Sequence, residues 1–275
     1  MAIGAEQGAE VAAAFDGMPT LTVCLDRRQE HKFPGRVFAC RHIIKTAQIR
    51  QYAEAGLLHP RSVAFTWGMQ LDPAQWGKLL VMKPLDPKVT SRGIVRSDFR
   101  SRCCRASKPE NFAAGHPIHT TPMLLQAFID TGPRPSHFRV LTLFGEPLYA
   151  VEHVMDDERP PLDAAPEVLL AANIATNGGE RNRRLIDDEE ILAFARRMSR
   201  ALPAIPLQGI DVMREHGTGR LFAIENNTGG NTWHFSSNMG KELRDQLGRD
   251  ALVGQFDAFA TAARVLVDAT RTYAR

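Results

Sequence analysis

The stretch GIDVMREHGTGRLFAIENNTGGNTWHF, residues 209–235, decides how the rest of the chain is read. Two apolar runs flank His216-Gly217-Thr218-Gly219, a sequence suited to a hairpin turn. Strand alternation sends Ile210, Val212, Phe222 and Ile224 toward a core and turns Asp211 and Glu225 the other way, with Asn227 beside Glu225. Three oxygen-bearing side chains therefore meet next to a Gly-rich corner. Mg²⁺ takes hard oxygen ligands and only one or two protein carboxylates, leaving water and phosphate to complete its shell, so the pattern points to nucleotide chemistry. It also describes an ordinary hairpin with a solvated polar face, and residues elsewhere must separate the two readings.

The 275 residues are 44% hydrophobic and 24% charged, which supplies the core of one large domain or of two or three small lobes. A net charge of +3 demands neither nucleic acid nor an anionic membrane as a partner. The opening MAIGAEQGAEVAAAFDGMP lacks a basic, then apolar, signal pattern, and no later run reaches membrane-spanning length. A cytoplasmic protein is expected. Cys24, Cys40, Cys103 and Cys104 form no metal or redox motif and are expected to be reduced thiols.

TLTVCL (residues 20–25) and SVAFTW (62–67) read as strands, and between them a helix ends at Gly56 with Lys45 near its start. KLLVMKPL (78–85) is a buried strand carrying Lys83 near its end. A buried ammonium is costly without a partner, and either a phosphate or a neighbouring acid would serve. DPKVTSRGIVRS (86–97) suits a flap with Ser91, Arg92 and Gly93 near its tip. PMLLQAFID (122–130) is a strand, and residues 137–155 form a hairpin turning at Gly145. Arg139, within that hairpin, can grip phosphate or carboxylate, or pair with Glu152 or Asp130. NIATNGGERNRRL (173–185) reads as an anion-contacting loop with Arg181, Arg183 and Arg184. The next segment is an amphipathic helix, capped by Asp187 or Asp188, with Ile191, Ala195, Met198 and Leu202 as its stripe. Helices close the chain, with Leu252, Phe256, Phe259, Ala263 and Leu266 as expected core contacts.

Taken in order, Lys45, LLVMKP with Lys83, LLQAFID, FRVLTLFGEPLYAV with Arg139, GIDV with Asp211 and the Glu-x-Asn of IENN resemble the ATP-grasp ligases. Glutathione synthetase, D-alanyl-D-alanine ligase and peptide-modifying ligases belong to that group. The likeness spans residues 40–237. It implies an α+β fold in which two lobes clasp a nucleotide. Residues 1–40 would be a shortened N-terminal region, 41–121 a linker helix and first lobe, and 122–275 a second lobe with the metal site and C-terminal helices.

The resemblance also implies roles. Lys45 and Lys83 would hold the phosphates of ATP, and the backbone of Gln126, Ala127, Phe128 and Ile129 would contact adenine, with Asp130 near the ribose. Asp211, Glu225 and Asn227 match ligands of Mg²⁺, or of Mn²⁺ in its place, and Arg139 matches the arginine that steadies a phosphorylated intermediate. Asn173 or Asn177 would touch phosphate or substrate. The implied activity is ligation of a carboxylate to an amine through an acylphosphate, on an amino acid, peptide or peptide-like substrate. Alternatives are phosphoryl transfer to a small-molecule hydroxyl, or a non-catalytic nucleotide-binding subunit.

Three features depart from the family pattern. About forty residues precede the matching region, so part of the acceptor site is expected either to be missing or to be supplied by a second copy or partner subunit. His137 stands where relatives commonly carry an acid, and the flap is poor in glycine. Asn231, Trp233 and His234 form a candidate acceptor wall, although Trp233 suits packing beneath the sheet equally well.

Overall fold

In the computed structural model, which describes residues 13–25, 33, 35–69, 71–77, 79–85, 95–98, 117–164, 168, 180–228 and 234–274, apolar runs pair as strands and amphipathic runs coil as helices. The order is β1 (Leu21–Cys24), β2 (Arg36–Ala39), α1 (Lys45–Glu54), β3 (Ser62–Ala64), α2 (Pro73–Trp76), β4 (Leu79–Pro84), β5 (Val95–Asp98), β6 (Met123–Ala127), β7 (Ser136–Leu143), β8 (Glu146–Met155) and β9 (Arg181–Leu185). It continues with α3 (Glu189–Arg200), β10 (Leu207–Arg214), β11 (Leu221–Asn227), α4 (Asn238–Leu247), α5 (Arg249–Gly254) and α6 (Ala258–Tyr273).

These strands make three sheets: a parallel pair β1-β2, a four-stranded sheet ordered β3-β6-β4-β5 and a five-stranded sheet ordered β11-β10-β7-β8-β9. Every pairing within the two larger sheets is antiparallel. The chain crosses from one large sheet to the other between Ala127 and Ser136. None of the described helices is long and apolar enough to cross a membrane.

Both faces of the five-stranded sheet are covered. Phe138, Val140, Ala150, Ile210 and Val212 pack on Ile191, Leu192, Ala195 and Met198 of α3 and on Tyr52 of α1. The Asp188 carboxylate caps α3 by accepting from the Glu190 and Ile191 N–H groups, and Glu189 and Glu190 complement the helix dipole. On the opposite face, Leu141, Tyr149, Val151 and Leu207 meet Leu243, Leu252, Ala258 and Val265 of the C-terminal helices.

Several elements differ from the sequence expectation. A bulge at Asp211/Val212 pairs Asp211 with Glu225 but Val212 with Ala223, so Ile224 is the extra residue. Leu221 and Ala223 consequently join the α3 core, while Phe222 is buried outside that cluster and Ile224 is only half-buried. In α6 the buried residues are Ala258, Val265 and Ala269, while Ala263 and Leu266 are exposed and Phe259 is 59% exposed. Asp257 adopts φ 46° just before that helix, which resets its rotation relative to a stripe extrapolated from the preceding segment. The arginine-rich run 181–185 is an edge strand rather than a loop. Cys24 and Cys40 are buried thiols. Ser91, Arg92, Gly93, Cys103, Cys104, Asn173, Asn177, Asn231 and Trp233 lie outside the described residues.

Candidate nucleotide and metal site

Register builds the site. Asp211 on β10 lies opposite Arg139 on β7 and opposite Glu225 on β11, giving one row of ionisable side chains across three strands. The bulge changes which residues lie behind this row, because 221, 223, 225 and 227 would share a face under strict alternation. The extra residue Ile224 lets Leu221 and Ala223 enter the α3 core while Glu225 and Asn227 project from the other side of the strand.

Arg139 grips Asp211 with two bonds, Nε to Oδ1 at 2.7 Å and Nη2 to Oδ2 at 2.5 Å. The pair is well shielded, with side-chain exposures of 6% and 14%. Neither acid considered as a partner for Arg139 fills that role: Glu152 pairs with Arg184, and Asp130 pairs with Arg159. Asn227 Nδ2 donates to Asp211 Oδ2 at 2.9 Å and to the Gly209 carbonyl at 3.1 Å. Lys45 Nζ donates to Glu225 Oε1 at 2.9 Å, in a pair 20% and 25% exposed. Burial, the largest influence on Asp211, favours its neutral form. The charges of Arg139 and His137, with hydrogen bonds from Arg139 and Asn227, outweigh burial and hold its pKa below the ordinary value.

Lys83 comes from the other large sheet. Its ammonium donates to the neutral Gln126 Oε1 at 2.8 Å, and Gln126 Nε2 in turn donates to Ser62 Oγ at 3.1 Å. Burial pushes the Lys83 pKa down, and Lys45 adds to that shift while Glu225 and Asp211 oppose it. Lys45, Lys83, Glu225 and Asp211 thus act on one another through a common space. An amide partner, unlike a carboxylate, brings no negative charge to offset the ammonium.

The donor chemistry fits Mg²⁺ completed by phosphate and water. After the bonds above, Glu225 retains Oε2, Asn227 retains Oδ1, and Asp211 Oδ1 has accepted one hydrogen bond. Among the described residues no cluster of three or more His, Cys, Asp or Glu side chains forms a metal cage, so the donor set is not a closed structural site.

No family model matches the sequence, and no curated protein does. Solved structures match at low identity. The ATP-grasp ligase PsnB complexed with minimal precursor covers 80% of this chain at 17% identity and a TM-score of 0.46, and the chain spans only 61% of the length of PsnB. D-alanine–D-alanine ligase from Bacillus anthracis complexed with ATP covers 82% of this chain and 66% of its own, at 13% identity and a TM-score of 0.47. D-cycloserine synthetase DcsG, another ATP-grasp ligase, covers 95% of this chain and 80% of its own, at 16% identity and a TM-score of 0.52. The chain has the ATP-grasp fold.

Within this ATP-grasp fold the segment 126–130 is the link between the two large sheets. The Ala127 N–H is taken by the Arg61 carbonyl at 2.8 Å and the Phe128 N–H by the Leu79 carbonyl at 3.1 Å. Neither the Ile129 N–H nor the Asp130 N–H has a partner among the described residues. The Asp130 carboxylate accepts from the Gly132 N–H at 2.9 Å and from Arg159 at 2.7 Å, so it is engaged within the protein.

Beyond Arg139, the sheet of this ATP-grasp fold carries a second polar row, His137–His153–Arg183. The two imidazoles stack at 4.6 Å, and Arg183 reaches both His153 and Glu242. Burial lowers the His137 pKa to about 4 and lowers that of His153 as well. Sequence reading noted His137 but missed His153 and the Gln126 side chain. A glutamine inside the apolar run MLLQA was the available signal for the latter, because a buried amide needs a partner.

Proposed function

We propose that the chain is an ATP-dependent carboxylate–amine ligase working through an acylphosphate on an amino acid, peptide or peptide-like substrate. The observation that carries this reading is the Arg139–Asp211–Glu225 row, with Asn227 beside it and Lys45 and Lys83 sharing its electrostatic space.

A carboxylate is a poor acyl donor because its oxygen leaves badly. In the first step a carboxylate oxygen bonds to the γ-phosphorus of ATP, the bond from that phosphorus to the β–γ bridging oxygen breaks, and ADP departs. An amine nitrogen then bonds to the acyl carbon, the carbon–oxygen bond to phosphate breaks, and the amine gives up a proton. Lys45 and Lys83 bind the phosphate oxygens, while Arg139, its plane fixed by two bonds to Asp211, steadies the acylphosphate. Mg²⁺ held by Asp211, Glu225 and Asn227 would neutralise phosphate charge. Phosphoryl transfer relies on positioning and charge stabilisation, so this chemistry needs no protein nucleophile.

The test is ADP release across panels of carboxylates and amines, with hydroxylamine as a trap. Release that requires both substrates, together with a hydroxamate product, is the expected result. A phosphorylated product formed without an amine would assign a phosphotransferase instead.

A further inference from the structure

β11 is the outer strand of the five-stranded sheet, and a side chain takes the place of its next neighbour. At Asn226 the backbone N–H donates to Gln48 Oε1 at 2.8 Å, and the carbonyl accepts from Gln48 Nε2 at 3.0 Å. The same Nε2 donates to the Ile43 carbonyl at 2.9 Å. One amide group therefore closes the strand edge at Asn226 as another strand would, while the Ala223 N–H donates to the Leu58 carbonyl at 2.8 Å. Gln48 is 2% exposed, so water does not compete for these bonds.

The Asn226 side chain continues the connection. Its Oδ1 lies 2.6 Å from the Tyr52 hydroxyl, and its Nδ2 donates to Gln208 Oε1. Gln208 Nε2 reaches the carbonyls of Ser199, Leu202 and Ile205 at 3.1, 3.2 and 2.8 Å, tying the network to the end of α3. Lys45, Gln48 and Tyr52 follow one another at three- and four-residue spacing, so they lie along one side of α1. Asn226 stands between Glu225 and Asn227, the two β11 residues of the metal set.

Helix α1 has little of its own to fix its first turn. It is ten residues long, Ile44 gives no side-chain cap, and the first turn holds no acid. Yet that turn carries Lys45, whose ammonium meets Glu225 at 2.9 Å. We propose that Gln48, backed by Tyr52, is a positioning residue: it latches α1 to the edge of β11 and thereby sets the Lys45 ammonium for nucleotide phosphate. The inference rests on the nucleotide reading of the site and extends it to residues that touch no ligand.

Two variants test it. Gln48→Met removes the latch while keeping side-chain length, and Tyr52→Phe removes one hydroxyl should the first variant fail to fold. Amide hydrogen exchange of the ligand-free chain should become faster in α1 and stay unchanged in α3. Calorimetric titration with Mg-ATP should show binding weakened about tenfold by either variant. In a Lys45→Met background the same substitutions should weaken it no further, a non-additivity that general destabilisation would not produce. Unchanged α1 exchange, or equal weakening with and without Lys45, would overturn the latch alone. Failure of the unaltered chain to bind Mg-ATP would overturn the nucleotide reading and, with it, the purpose of the latch.

Discussion

Asp211 and Glu225 face each other across one strand pair, yet their surroundings give them different energetic weight. Asp211 neutralises a guanidinium that is almost wholly buried, whereas Glu225 pairs with a lysine that solvent reaches. Removing the first carboxylate leaves an uncompensated buried charge, so Asp211→Ala should cost about 3 kcal/mol or more in urea unfolding. Glu225→Ala should cost less than about 1 kcal/mol in the same measurement. Lys83 has the opposite sign. Its ammonium is held by a neutral amide and its pKa is lowered in the fold, so the unfolded chain binds that proton more tightly and folding is opposed below the unfolded pKa. Lys83→Met should therefore raise Tm while weakening Mg-ATP binding. At this scale the sequence was informative wherever charge interrupted an apolar strand, as at Lys83, Arg139 and Asp211. It was silent on partners: the Arg139–Asp211 pair joins residues 72 apart in the chain, and only strand register reveals it.

Among the elements, β7 and β10 were legible from alternation, and α3 from its cap and stripe, because these signals are local. The β10–β11 bulge was not. Period-two reasoning assigns Phe222 and Ile224 to the core; Phe222 is buried, but a single extra residue leaves Ile224 half-buried and brings Leu221 and Ala223 into the α3 core. The bulge left no mark in composition, yet it allows Glu225 to project away from α3. β9 was misread for a related reason: an arginine-rich run looks like a loop until Glu152, His153 and Glu242 provide partners for its side chains. The ladder that joins β7, β8 and β9 also sets an acid limit. In the unfolded chain a histidine titrates near 6.5, whereas burial holds His137 down to about 4 and lowers His153 too. Between these values the unfolded state binds more protons, so stability falls as pH falls through that window. His137 alone should contribute a loss of about 2 kcal/mol between pH 7 and pH 5. Urea midpoints at the two pH values should show it, and His137→Leu should remove part of the slope, leaving the share that His153 contributes.

At the scale of the whole molecule, the site draws on segments far apart in the chain. Lys45 and Glu225 are 180 residues apart, and Lys83 reaches the same electrostatic space from a different sheet. The family resemblance supplied this convergence in order and spacing, but not the scaffold beneath it. Gln48, Tyr52, Asn226 and Gln208 are polar residues of ordinary appearance whose meaning depends on an edge strand that lacks a neighbour. The central claim is that this convergence binds Mg-ATP. Thermal unfolding with and without excess Mg-ATP, on the unaltered chain and on Glu225→Ala, tests it most directly. At a ligand concentration about a hundred times Kd the unaltered chain should gain about 2.7 kcal/mol, raising Tm by roughly 5–10 °C, while the variant should keep its unliganded Tm and lose most of the gain. No rise in the unaltered chain, or an equal rise in both proteins, would contradict the account.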